Sequence, residues 1–131
     1  PPICVPDTLR AAHTILARTE LRNCDYRTAV EDAKRGDFIY FDPPYDPVTT
    51  TSNFTSYTNS TFGPEQQKEL ADTARKLVAK GCKVMLSNSD TPYIRQIYKG
   101  FTVDRVMVSR AINSNAAKRG EVAEVIATAG Y

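Results

Sequence analysis

Asp37-Phe38-Ile39-Tyr40-Phe41-Asp42-Pro43-Pro44-Tyr45 decides how this chain folds. Phe38 to Phe41 is a compact run of aromatic and β-branched residues, the pattern of a buried strand. It stops abruptly at Asp42-Pro43-Pro44-Tyr45, because neither proline can donate to a neighbouring strand. Upstream, Pro6-Asp7 followed by Leu9, Ala12, Ile15 and Leu16 has the spacing of a capped amphipathic helix over residues 7–18. Glu20 to Cys24 reads as a short strand. Arg27 to Arg35 reads as a helix ended by Gly36.

Downstream, Gly63-Pro64-Glu65 opens a helix to about Lys80, with Leu70, Ala74, Leu77 and Val78 on one face and Gly81 as its stop. Lys83 to Leu86 is the next strand. Ser87-Asn88-Ser89-Asp90 reads as a turn capping a helix that begins at Thr91-Pro92. Phe101 to Val108 alternates as a strand does, and Glu121 to Ala127 is the last strand. Strands alternating with helices predict an α/β fold with a mainly parallel sheet, closed by an antiparallel hairpin at one edge. In open sheets of this class, ligands lie outside the carboxyl ends of the strands. The turns at Asp42 and Ser87 fall there.

The composition bounds the function. The chain has 131 residues, 41% hydrophobic and 24% charged, which is ordinary for one globular domain or a piece of one. The net charge of +2 neither demands nor excludes a nucleic-acid partner. No stretch approaches the ~20 apolar residues of a membrane span, and the start lacks the pattern of a signal peptide. Cys4, Cys24 and Cys82 are too widely spaced for a disulfide framework or a metal knuckle, and suggest a reducing compartment. With His13 as the one histidine, a zinc or iron ligand set and a histidine triad are both disfavoured, so no metal is expected.

Asp42-Pro43-Pro44-Tyr45 is the most informative tetrapeptide. It resembles the catalytic motif of methyltransferases that modify exocyclic amines on bases. The N6 amine of adenine is a poor nucleophile, because its lone pair is delocalised into the ring. Two acceptors holding its hydrogens favour a pyramidal, in-line geometry and stabilise the positive charge that develops on nitrogen. Asp42 supplies a carboxylate. The Pro43 carbonyl supplies the second acceptor, held rigid by the double proline. Tyr45 offers a flat face to a base taken out of the duplex, a contact worth ~1–3 kcal/mol.

Three further strings extend the resemblance: Ser52-Asn53-Phe54-Thr55-Ser56-Tyr57, Leu86-Ser87-Asn88-Ser89-Asp90-Thr91, and Arg110-Ala111-Ile112-Asn113-Ser114-Asn115 with Arg119 and Glu124 behind it. Together with the tetrapeptide they look like the DNA adenine-N6 methyltransferases related to the bacterial Dam enzyme, the D12 class. That resemblance covers about residues 20–131. It implies a Rossmann-like sheet dependent on S-adenosylmethionine, double-stranded DNA as substrate, and a cytoplasmic enzyme of bacterial, archaeal or phage origin. Restriction-modification, phage and housekeeping roles stay open.

By the same resemblance, Asp42 holds the amine and also lies against the methionine part of the cofactor. Asp25-Tyr26 meets the cofactor's adenine, the acid on its amino group and the aromatic on its ring. A plain helix N-cap is the other reading of Asp25. The stretch Val48 to Phe62 has no charged residue; eleven of its fifteen residues are Thr, Ser or Asn, and three are aromatic. A loop this long suits DNA contact. Its hydroxyls and amides, with Asn53 among them, can bond phosphate or base edges, and Phe54 and Tyr57 can line the base pocket. A flexible polar linker is the alternative. Ser87 and Asn88 are expected on the Asp42 rim, facing substrate or DNA, or else as turn chemistry.

The family also carries a Gly-x-Gly loop around the cofactor, and all six glycines of this chain are isolated. The first methionine is Met85. Both point to the carboxyl-terminal catalytic portion of a longer enzyme. Its missing amino-terminal part would then hold the cofactor loop and most of the target-recognition region. Two other classes remain: a methyltransferase acting on another amine (RNA adenine, cytosine N4 or protein glutamine), and a non-catalytic, truncated nucleic-acid-binding module.

Overall fold

The computed structural model describes residues 4–48, 62–109 and 121–131. Contacts divide the chain into two compact units, Pro1–Asp32 and Ala33–Tyr131.

The first unit holds two helices. Helix α1, Pro6–Leu16, starts with proline in its first turn, where the missing N–H costs nothing, and with Asp7 at the positive end of the dipole. Its side chains are exposed along its whole length. Helix α2, Tyr26–Ala29, is only four residues long. The strand expected over Glu20–Cys24 is not there: that stretch is irregular. Its one short-range tie is Arg22 to Glu20 at 2.7 Å, a local pair that competes with extended pairing. The helix expected over Arg27–Arg35 stops at Ala29. Farther on, Lys34 N–H donates to the Asp37 carboxylate at 2.9 Å and Asp37 N–H donates to the Lys34 carbonyl at 3.1 Å. That closed turn replaces a further helical turn.

The second unit is a four-stranded open sheet with two helices. In chain order it runs β1 Phe38–Phe41, α3 Pro64–Ala79, β2 Lys83–Ser89, α4 Pro92–Ile97, β3 Thr102–Ser109 and β4 Glu121–Ala129. The spatial order is β1-β2-β4-β3. Strands β1 and β2 are parallel, with Phe41 beside Leu86. Strand β4 is antiparallel to β2, with Leu86 beside Ala127, and antiparallel to β3, with Val103 beside Ala127. The edge hairpin is therefore present, but the mainly parallel sheet is not: among the described strands one pairing is parallel and two are antiparallel. The later strand of the hairpin sits against β2 and leaves β3 outermost, while Glu20–Cys24 adds no parallel strand.

Period-two alternation separates the faces of the sheet. Phe41, Val84, Leu86, Val125 and Ala127 share one face and are buried. Helix α3 meets them with Leu70, Ala71, Ala74 and Leu77, spaced three and four apart as a helical stripe requires. Ile94 and Ile97 of α4, with Tyr98 just beyond it, complete this core. Each of the larger aliphatic and phenylalanine side chains here contributes roughly 1.5–3 kcal/mol by leaving water.

Two glycines are fixed by geometry. Gly81 ends α3 at φ +90; its own N–H returns to the Val78 carbonyl and that of Cys82 to the Leu77 carbonyl. Gly130 ends β4 at φ +86, where an added Cβ would lie 2.2 Å from the Cys82 carbonyl oxygen. No helix among the described residues is long and apolar enough to cross a membrane.

Candidate active site

Strand β1 delivers Asp42 to the carboxyl end of the parallel pair, one residue past its last ladder position. Phe41 faces the core, so the alternation turns Asp42 to the opposite face, where it is exposed. Strand β2 ends beside it and runs three residues longer than the sequence suggests. Ser87, Asn88 and Ser89 are strand, and the turn expected there begins only at Asp90. The cap on the next helix is Thr91, whose hydroxyl accepts from Ile94 N–H at 3.1 Å. Polar residues can extend a buried strand end only where they find partners, and the side chains of Ser87 and Asn88 and the backbone of Ser89 do.

Ser87 Oγ donates to Asp42 Oδ1 at 2.8 Å and accepts from the Tyr40 hydroxyl at 2.9 Å. Tyr40 and Asp42 are two apart on β1, so both hydroxyls lie on the face that carries the carboxylate. Among the described residues, Asp42 Oδ2 accepts no hydrogen bond. Neither does the Pro43 carbonyl. The Pro44 carbonyl is taken: Gln67 Nε2 of α3 donates to it at 2.7 Å.

Asn88 lies beneath the same turn on the core face and is fully buried. Its Oδ1 accepts from Asp46 N–H and Ser89 N–H, both at 2.9 Å. Its Nδ2 donates to Gln67 Oε1 at 3.0 Å and to the Tyr98 hydroxyl at 3.3 Å. The turn is tied a third time, where Thr91 Oγ1 donates to Asp46 Oδ2 at 2.6 Å. Ser87 thus stands on the Asp42 rim, while Asn88 stands one layer below it with its amide wholly engaged by the protein.

Tyr45 is half-buried next to this cluster. Burial pushes its phenol above the ordinary tyrosine range; the Ser87 hydroxyl opposes the shift, and the negative charges of Glu124 and Asp42 add to it. Burial also pushes the Tyr98 phenol up, to about 12, against the opposing hydrogen bond from Asn88.

In the first unit, Asp25 caps α2. Its carboxylate accepts from Arg27 N–H at 2.9 Å and pairs with the Arg27 guanidinium at 3.4 Å. That guanidinium also lies 5.0 Å from the centre of the half-buried Tyr26 ring. The candidates Asn53, Phe54 and Tyr57, and the string from Arg110 to Arg119, lie outside the described residues. No group of three or more His, Cys, Asp or Glu among the described residues could hold a metal ion.

Sequence reasoning missed Tyr40, Asp46, Gln67 and Tyr98. Gln67 alone left a trace: it is a polar residue on the stripe of α3 that otherwise faces the core.

Residues 3–112 match the family model described as D12 class N6 adenine-specific DNA methyltransferase. A type II methyltransferase of Lactococcus lactis subsp. cremoris is 43% identical over 104 residues, covering 79% of this chain and 37% of that protein. A DNA adenine methylase of Haemophilus influenzae is 42% identical over 108 residues, covering 82% of this chain and 38% of that protein. A type II methyltransferase of Methanocaldococcus jannaschii is 37% identical over 120 residues, covering 91% and 42% respectively. The chain spans about two fifths of the length of these relatives.

Proposed function

The chain belongs to the D12 class of N6 adenine-specific DNA methyltransferases, and from that membership we propose that it carries the amine-handling part of an active site that methylates adenine N6 in double-stranded DNA. The observation that carries this reading is the state of two acceptors at the end of β1. Asp42 is exposed with Oδ1 held by Ser87, and its Oδ2 and the adjoining Pro43 carbonyl accept no hydrogen bond from the described residues. An exocyclic NH2 has two hydrogens to give, and these are two rigid acceptors for them.

Asp42 Oδ2 and the Pro43 carbonyl bind the amine hydrogens and turn the nitrogen lone pair out of conjugation. The carboxylate stabilises the positive charge growing on nitrogen as the new N–C bond forms and the methyl–sulfur bond of the donor breaks to leave a neutral thioether. The surplus amine proton passes to Asp42 or to water. Tyr45, which is half-buried, stacks on the adenine once it has left the duplex. Ser87 keeps the carboxylate in one rotamer.

S-adenosylmethionine, when bound, supplies a methyl carbon on a positively charged sulfur. The exposed carboxylate of Asp42 suits the amino group of its methionine part; Asp25 and Tyr26 are proposed, on the family's pattern alone, to meet its adenine. The family's Rossmann-like sheet and its upstream cofactor loop belong to the same proposal: this chain supplies one part of the domain, in a cytoplasmic protein. Asn53, Phe54 and Tyr57 are proposed to meet the DNA. Asn88 is proposed to support the rim from below.

The test incubates the protein that carries this chain with S-adenosylmethionine bearing a labelled methyl group. The acceptors are duplex DNA, DNA whose adenines are replaced by purine, and RNA of the same sequence. Label appearing on adenine N6 of the duplex, and lost on Asp42→Ala substitution, supports the reading. Label on cytosine N4, on RNA or on protein amides instead would overturn it.

A further inference from the structure

Two prolines in succession leave the Asp42–Tyr45 turn short of donors. Pro43 and Pro44 have no N–H, so the turn can be held only through its carbonyls, its side chains and the amides that follow. Besides Ser87 on Asp42 and Thr91 on Asp46, two buried amides meet that need. Gln67 Nε2 donates to the Pro44 carbonyl at 2.7 Å, and Asn88 Oδ1 accepts from Asp46 N–H at 2.9 Å. The two amides are joined by Asn88 Nδ2 donating to Gln67 Oε1 at 3.0 Å. Their orientations are forced, since a carbonyl only accepts and a backbone N–H only donates.

Gln67 is 2% exposed and Asn88 is 0% exposed. Both stand on stripes that are otherwise apolar, where leucine or methionine would be the cheaper residue. Neither side chain reaches the surface, so neither is placed to touch a ligand. The amide pair grips the turn on both sides of Tyr45 and consumes the carbonyl of Pro44, leaving that of Pro43 as the diproline acceptor.

We infer that Gln67 is a positioning residue for methyl transfer: through its bond to the Pro44 carbonyl and its partner Asn88, it fixes the angle at which Asp42 and the Pro43 carbonyl meet the amine. This rests on the reading of the turn as the amine site. A misplacement of about 1 Å at such a site lowers turnover by about 100-fold. Ground-state binding of DNA and cofactor, which the pair does not touch, should barely change.

The experiment compares Gln67→Met and Gln67→Glu with the unaltered protein that carries this chain. Expected for Gln67→Met is a fall in kcat of about 10- to 100-fold, with KM for DNA and for S-adenosylmethionine within about twofold. Gln67→Glu should lose turnover at pH 8 and regain part of it towards pH 5.5, because only a protonated carboxyl can donate to the Pro44 carbonyl. In hydrogen exchange, which needs no activity, both variants should lose protection at the Asp46 amide. Unchanged kcat in both variants, or unchanged Asp46 protection, would overturn the inference. If the unaltered protein moves no methyl, the functional reading falls, and the Asp46 exchange alone decides whether Gln67 holds the turn.

Discussion

Ser87 Oγ donates to Asp42 Oδ1 at 2.8 Å while it accepts from the Tyr40 hydroxyl at 2.9 Å, so a single serine orders a carboxylate and a phenol across two parallel strands. The two residues are forty-five positions apart and meet because Phe41 and Leu86 are in register. A carboxylate on an exposed turn is otherwise free to rotate about χ2. Ser87→Ala should therefore lower methyl transfer by about 10- to 100-fold, equivalent to ~1–3 kcal/mol, while Tyr40→Phe, one bond farther away, should cost less. Single-turnover rates of the two variants check this ordering. The reverse order would place the phenol, not the serine, at the carboxylate.

Tyr45 separates stacking from acid chemistry. Its phenol is pushed up by burial and stays neutral at physiological pH, so what it can offer the proposed base is its ring. Tyr45→Phe should keep most of the activity. Tyr45→Ala should weaken target-base placement by ~1–3 kcal/mol. Fluorescence of 2-aminopurine at the target position reads this directly: the rise on binding should survive in the phenylalanine variant and vanish in the alanine variant.

Tyr98 predicts an alkaline limit to stability. Burial pushes its phenol up to about 12 in the folded protein, above the ordinary tyrosine value of about 10. The native state therefore holds its proton longer than the unfolded chain does. The stabilisation is complete below pH 10 and is lost as pH rises towards 12, by roughly 2 kcal/mol. Tyr98→Phe should flatten that part of the stability profile, at a small cost at neutral pH from the hydrogen bond to Asn88. Urea unfolding at pH 8, 10 and 11 tests both parts.

Asp90 predicts the acid limb. Its carboxyl is held below the ordinary carboxylate range, chiefly by its hydrogen bond with Arg95, with the charges of Arg95 and Arg105 beside it. A depressed folded value means stability is fully present above about pH 3.9, the ordinary aspartate value, and is lost as pH falls through the folded one. Asp90→Asn should lower stability at pH 7 and make the decline below pH 4 shallower. Acid unfolding followed by circular dichroism measures the difference. An unchanged acid limb would show that the Arg95 and Arg105 pairs contribute nothing net.

Much of this protein is local and was readable as such. The apolar run Phe38–Phe41, the diproline stop, the stripe of Leu70, Ala74 and Leu77, and the stop at Gly81 each depend on neighbours within a few positions, and sequence order alone determines them. The chemistry proposed for Asp42-Pro43-Pro44-Tyr45 is likewise argued from residue type, from what a carboxylate, a rigid carbonyl and an aromatic ring can offer an amine. The tertiary structure alone decided that β4 lies between β2 and β3, that Ser87 to Ser89 continue a strand, and that Tyr40, Gln67 and Tyr98 join the hydrogen bonds around the Asp42 turn. The reason is physical. A buried polar residue is tolerated only by the partners it meets, and those partners stand ten to forty-seven positions away, brought within 3.3 Å by packing that no local pattern encodes.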